Sequence, residues 1–198
     1  MSSTLKRENI AIIILAAGGS KRMGSPKQFL TYKGHSLLRH VAEIALKTDA
    51  TMTYVVAGTE VSRIQTELIN LPIQVVENPH WHEGLSSSIQ AGISALPDTI
   101  SAALLMLCDQ PKVTSNLLNT IIMSYLLSGK LIVACEYGEI LGVPALFDHS
   151  LFPALFKLKG DQGAKGIITR YADTAVQIPF PEGAIDIDTP FDYEALTR

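Results

Sequence analysis

Residues 10–27 read IAIIILAAGGSKRMGSPK: an unbroken aliphatic run, then two adjacent glycines, then a group of cations. The run is rich in β-branched isoleucine and shows no polar alternation, so as a strand it must be buried on both faces. Strands of that kind occupy parallel sheets that helices cover on both sides. Met52–Ala57, Ile73–Val76, Ala102–Cys108 and Leu131–Cys135 have the same character, and amphipathic stretches separate them. Ser36 is placed to cap the first helix, whose apolar face is Leu37, Leu38, Val41, Ile44 and Ala45. Glu60–Asn70 forms the second; a third follows Gly84 with Leu85, Ile89, Ile93 and Leu96 on one stripe; a fourth runs from Thr114 to Leu127. This alternation predicts an α/β fold, a three-layer sandwich around a mostly parallel sheet.

After Cys135 the pattern loosens. A strand at Val143–Phe147, short helices near His149–Lys157 and Ala164–Tyr171, a strand near Ala175–Ile178 and a closing helix from Pro190 read as a cap packed on the end of the sheet. The 198 residues form one domain, with residues 8–135 as one part and 136–198 as the other.

A formal net charge of −3 offers no broad attraction to a polyanion, which makes nucleic acid a poor partner. Cys108 and Cys135 have no paired spacing and suit a reducing compartment as buried small hydrophobes. The first apolar run, Ile10–Ala17, is too short for a signal segment or a membrane span, so a cytoplasmic location and no membrane partner are expected.

In such sheets ligands bind at the carboxyl ends of the strands, which directs attention to the loop after Ile10–Ala17. Its glycines let backbone N–H groups turn toward an anion, and Lys21, Arg22 and Lys27 can neutralise a polyphosphate. Strand, glycines and cations coincide as a mononucleotide loop requires, which favours phosphate over a merely solvated turn. The register is not that of a P-loop: Gly19 and Gly24 are followed by Ser25 and Pro26, and Lys27 comes two positions late. Pro26 also removes an N–H donor. The dinucleotide fingerprint GxGxxG is absent as well.

Ala102–Cys108 ends at Asp109-Gln110-Pro111, which puts a carboxylate where a parallel strand leaves the sheet. Asp109 is thus the first candidate for a Mg²⁺ ligand, with a turn-capping aspartate as the alternative. In Ala184-Ile185-Asp186-Ile187-Asp188-Thr189-Pro190 apolar and acidic residues alternate, so as a strand the segment points Asp186 and Asp188 to one face; Asp188 is also placed to cap the helix from Pro190. Gly84-Leu85-Ser86-Ser87-Ser88 opens a helix with small hydroxyl residues, suited to a base, ribose or anion or to ordinary capping. His80-Trp81-His82-Glu83 lacks further ligands at zinc spacing and reads as a surface loop.

LAAGGSKRMGSPKQFL resembles the LAAGxSxRMGxxKxL signature of the GT-A-like nucleotidyltransferases, closest to the MobA-like and MocA-like molybdenum cofactor enzymes. The resemblance implies a Rossmann-like sheet and a loop in which Leu15, Ala16, Ala17, Gly18, Gly19, Ser20 and Gly24 surround the nucleotide while Arg22 and Lys27 hold its phosphates. LLMLCDQP is similar to the family's metal-binding strand end and DIDTPFDYEAL to its closing motif, which implies Mg²⁺, with Mn²⁺ as the alternative, on Asp109 aided by Asp186 or Asp188. GLSSSIQAG resembles the segment bordering the base, with Gly84 and Ser88 as contacts. GVPALF and KGDQGAK are similar to stretches of the MocA-like branch and imply acceptor contacts at Gly142, Pro144, Asp161 and Lys165, the last standing where arginine is usual. Residues 8–135 then bind the nucleotide and 136–198 the acceptor.

The implied reaction is attack of a molybdopterin phosphate on the α-phosphorus of CTP, with Lys27, Asp109 and Arg22 as the catalytic group. GTP as donor, a sugar phosphate or isoprenoid-precursor phosphate as acceptor, and a non-catalytic accessory protein of a molybdoenzyme are the alternatives. Retention of Lys27 and Asp109 favours the enzyme over the accessory role.

Overall fold

The computed structural model describes residues 8–20 and 23–197. Chain order gives strands β1 (Ile10–Leu15), β2 (Thr31–Tyr32), β3 (His35–Ser36), β4 (Met52–Ala57), β5 (Gln74–Glu77), β6 (Ala102–Leu107), β7 (Ile132–Tyr137), β8 (Ile140–Asp148) and β9 (Val176–Pro179). The helices are α1 (Leu37–Ala45), α2 (Val61–Glu67), α3 (Leu85–Ser94), α4 (Ser115–Ser128), α5 (Phe152–Leu155), α6 (Lys165–Arg170) and α7 (Pro190–Thr197). Strands β2 and β3 form a small hairpin; the other seven make one sheet in the order β5-β4-β1-β6-β8-β7-β9.

All six residues of β1 are buried, as an aliphatic run without alternation requires. The pleat divides them. Ile10, Ile12 and Ile14 pack with Leu38 and Val41 of α1, Ile64 of α2 and Leu118, Ile121 and Ile122 of α4. Ala11, Ile13 and Leu15 pack on the other side with Ile89 and Ile93 of α3, Leu155 of α5 and Ile168 of α6. Each fully buried isoleucine contributes about 1.5–3 kcal/mol, so this strand anchors both cores. Ser36 caps α1 as expected: its hydroxyl accepts from Arg39 N at 3.0 Å and donates to Glu67 Oε1 at 2.6 Å, joining α1 to the end of α2.

The part after Cys135 departs from the expected cap. Strand β7 runs on to Tyr137 and turns through Gly138 and Glu139, at φ 55° and 63°, into the nine-residue β8. Two consecutive residues at positive φ make the tight turn whose twist suits an antiparallel hairpin. β8 therefore lies antiparallel between β6 and β7, and β9 joins β7 in parallel. Strands β8 and β9 thus extend the sheet itself. The polar ends of both strands and the Gly-Glu turn hide this hairpin from a hydrophobic pattern.

A register shift interrupts β7–β8 pairing: Ala134 faces Ala145 but Cys135 faces Gly142, so Val143 and Pro144 bulge from the ladder. Their peptide bond is cis. Pairing of β8 with β6 stops at Leu105–Ala145, so the last residues of β6 have no strand beside them on that flank. The bulge opens the sheet where β6 delivers Asp109.

Candidate functional site

Strands β1 and β6 are parallel neighbours, with Leu15 opposite Leu107 and Cys108 N donating to Leu15 O at 3.3 Å. Both chains run on to helices of the same face of the sheet, β1 to α1 and β6 to α4 by way of the loops, and a crevice lies at the carboxyl ends of the two strands. A cavity of about 570 Å³ fills it, lined by Leu15, Ala16, Ala17, Gly18 and Gly19 from the first loop, Cys108 and Asp109 from the second, and Lys27, Trp81, Gly84, Ser88 and Asp161 around them. The sequence-predicted loop and strand-end aspartate thus meet in one place.

The loop itself is more closely knotted than its glycines suggest. Ser20, at φ 47°, accepts from Met23 N and Gly24 N on its carbonyl and from Lys27 N on its hydroxyl at 3.0 Å. Those amides serve the loop's own shape; the stretch that faces the cavity is Leu15–Gly19. Ser20 and Gly24 lie outside the cavity lining. Lys21 and Arg22 lie outside the described residues.

The knot delivers Lys27. Its ammonium donates to Asp109 Oδ2 and, at 3.1 Å, to Asp188 Oδ1. Burial alone would lower its pKa, but the Asp109 carboxylate beside it and the bond to Asp188 outweigh that and hold the ammonium well above the usual lysine value. Asp109 is 7% exposed, and its Oδ1 is buried without a hydrogen-bond partner among the described residues.

Asp186 and Asp188 reach the site through an extended segment rather than a ladder strand. Ile187, fully buried with Met23, Tyr32 and Leu37, donates its N–H to Asp109 O at 3.3 Å, and the carboxylates on either side of it are thereby set beside Asp109. The cap of α7 is Thr189 rather than Asp188: Asp192 Oδ2 accepts from Thr189 N at 2.8 Å, and Asp192 N donates back to Thr189 Oγ1 at 3.3 Å. Desolvation, then the charges of Asp109 and Asp188, push the Asp186 carboxyl up to about 6. Among the described residues no group of three His, Cys, Asp or Glu side chains could hold a metal by itself. A Mg²⁺ or Mn²⁺ site still fits, because such ions need only one or two carboxylates beside substrate phosphates and water, and Asp109 Oδ1 is an unused ligand.

Helix α3 closes the far wall. Gly84 precedes it at φ 103° and ψ −179°, and Asp161 supplies the cap from a distance, accepting Leu85 N at 3.3 Å. Asn78, 2% exposed, donates to the hydroxyls of Ser87 at 2.9 Å and Ser88 at 3.1 Å, which fixes Ser88 on the cavity wall. Asp161 therefore holds the first cavity together.

A second cavity of about 150 Å³ adjoins the first across Leu15, Leu85 and Leu107, under the flank that the bulge leaves open; Tyr137, Gly142 and Lys165 also line it. Pro144 is buried in the bulge and lines neither cavity. The bulged Val143 carbonyl accepts from Tyr137 OH at 3.1 Å and from Gln110 Nε2 at 3.2 Å. Since Gln110 follows Asp109, the bulge pins the loop that carries the carboxylate.

Sequence reasoning missed Trp81, Gly58, Gln28 and Gln110. Trp81 lies along the glycine loop, not on an outer surface: a Cβ on Gly58 would stand 2.5 Å from Trp81 Cβ and 2.6 Å from Ala17 O. A glycine directly after the strand beside β1 was the available signal for that close approach. Gln28 is 1% exposed and lines the cavity with its Nε2 unpartnered among the described residues. Nothing local marks it. Cys108 lines the cavity too, but burial pushes its thiol up to about 12, as befits a packing residue. Among the described residues no helix is long and apolar enough to cross a membrane.

Comparison with known proteins agrees with this geometry. A purine catabolism protein, PucB of Bacillus subtilis, is 26% identical over 94% of this chain and 95% of its own. Nicotine blue oxidoreductase of Paenarthrobacter nicotinovorans is 29% identical over 77% of this chain and 78% of its own. The crystal structure of Rv0371c from Mycobacterium tuberculosis H37Rv superposes with a TM-score of 0.84 at 25% identity, over 98% of this chain and 100% of that one. The same mycobacterial protein in complex with manganese gives 0.78 at 24%, over 96% and 97%. The MobA-like NTP transferase domain matches residues 12–175, and the chain belongs to that family of nucleotidyltransferases.

Proposed function

We propose that this chain transfers CMP from CTP to the phosphate of molybdopterin or its molybdenum-bearing form and releases pyrophosphate. The observation that carries the reading is Lys27, held between Asp109 and Asp188 at the mouth of a cavity floored by the glycine loop. An acceptor phosphate oxygen attacks the α-phosphorus, the bond from that phosphorus to the bridging oxygen breaks, and pyrophosphate departs. The protein's work is alignment and charge. Leu15–Gly19, Gly84 and Ser88 seat the nucleotide and Lys27 faces its phosphates, with Arg22 assigned to them by the family signature alone. Gly142 and Lys165 border the acceptor, whose ring system occupies the apolar second cavity, while Asp161 stands on the side of the first cavity and Pro144 shapes the bulge behind the second. Asp109, with Asp186 or Asp188, would hold Mg²⁺ or Mn²⁺, which supplies charge neutralisation for the phosphates. The manganese complex of the mycobacterial relative supports a divalent ion on this fold. A cytoplasmic setting accords with the free, buried thiols of Cys108 and Cys135.

Pyrophosphate release is measured with CTP, GTP, ATP and UTP, with Mg²⁺ or Mn²⁺, with and without molybdopterin. CTP- and acceptor-dependent release, lost in Asp109→Ala and Lys27→Ala, is expected. Turnover near wild type in either variant refutes the site, and nucleotide binding without release under every condition favours the accessory role. One relative bears the name of an oxidoreductase, so nicotine blue with NADH and NADPH forms a further arm. Reduction of that dye without nucleotidyl transfer would replace the proposed activity.

A further inference from the structure

Lys27 occupies the position that a divalent ion would want. It is the one lysine or arginine lining the first cavity among the described residues, and its ammonium lies between Asp109 and Asp188 with 16% of the side chain exposed. A purely structural ion pair would leave its carboxylates fully used, since a buried polar atom without a partner costs about 1–3 kcal/mol. Asp109 is instead half used: Oδ2 takes Lys27, and Oδ1 is buried without a partner among the described residues.

We propose that Lys27 is an internal placeholder for the metal: in the nucleotide-free protein its ammonium holds the carboxylate cluster closed, and it yields when phosphates give it new partners. The proposal rests on the nucleotidyltransferase reading and adds an order of events to it. Before nucleotide arrives, the positive charge of Lys27 offsets part of the mutual repulsion of Asp109, Asp186 and Asp188 and opposes entry of a cation. Triphosphate oxygens then offer Lys27 stronger, charge-assisted bonds, and its departure uncovers Asp109. The divalent ion accordingly enters with the nucleotide or after it.

Binding of Mn²⁺ alone to the nucleotide-free protein, followed by electron paramagnetic resonance, tests this. Wild type binds weakly, whereas Lys27→Ala and Lys27→Met bind at least roughly tenfold more tightly, because a like charge has left the site. Addition of Asp109→Asn abolishes the gain. Equal affinity in wild type and both Lys27 variants overturns the placeholder. A second readout needs no variant: saturating Mn²⁺ alone expels Lys27 from its carboxylates, so its acylation by an amine-selective reagent, read by mass spectrometry, accelerates several-fold. An unchanged rate overturns the proposal even if the variants fail to fold. Binding of CTP and GTP, measured both without metal and with Mn²⁺ by Trp81 fluorescence and scored as absent only when neither condition shows it, keeps the two ideas apart. No nucleotide binding sinks the nucleotidyltransferase reading, whereas binding with no Lys27 effect sinks the placeholder alone.

Discussion

Gly84→Ala tests how the cavity wall is built. Gly84 has φ 103° and ψ −179°, and a Cβ there would lie 2.5 Å from the carbonyl carbon of Gly160 and 2.6 Å from Gly160 O and Asp161 Oδ1. An L-residue held in that region costs about 1–3 kcal/mol. The obstacle is mainly backbone, so the Gly160–Asp161 segment must withdraw. Withdrawal weakens the bonds from Ser86 N to Gly160 O at 3.0 Å and from Leu85 N to Asp161 Oδ1 at 3.3 Å. Each is worth about 0.5–1.5 kcal/mol. Strain and lost bonds together amount to about 2–6 kcal/mol, or a melting temperature lower by roughly 10 °C for a chain of this size. Urea titration and thermal melting measure it, with Gly18→Ala as the contrast, since a Cβ on Gly18 meets nothing within 4 Å. Nucleotide affinity falls as well, because the start of α3 forms part of the wall. A Gly84→Ala protein within about 0.5 kcal/mol of wild type, the ordinary range for surface substitutions, would refute this account of the wall.

Two further outcomes follow from the same site. Asp186 titrates near 6 when folded against a usual value of 3.8, so the folded state holds its proton longer than the unfolded one. In ligand-free protein its contribution therefore falls as pH rises from about 4 through 6; Asp186→Asn removes that decline, and parallel melting curves for wild type and variant across this window would contradict it. Trp81 is the chain's one tryptophan and lines the first cavity, so CTP changes the intrinsic emission in a saturable way that Trp81→Phe abolishes. Turnover with undisturbed emission would place the nucleotide elsewhere.

Much of this architecture was legible in the sequence because its causes are local. The isoleucine run of β1, the cap at Ser36 and the carboxylate ending β6 each follow from a few adjacent residues, and parallel packing then sends the strand ends to one crevice. The glycine loop, Lys27 and Asp109 were found that way. Their pairing was not, since it spans 82 residues, and the bond from Lys27 to Asp188 spans 161. Tertiary structure alone decided four things: the insertion of β8 through Gly138-Glu139, the Val143–Pro144 bulge that holds Gln110, the capping of α3 by Asp161, and the seating of Trp81 against Gly58. Hydrophobic period reports which face of an element is buried, but register, closure and contacts between distant loops depend on how completed elements pack, and no periodicity records that.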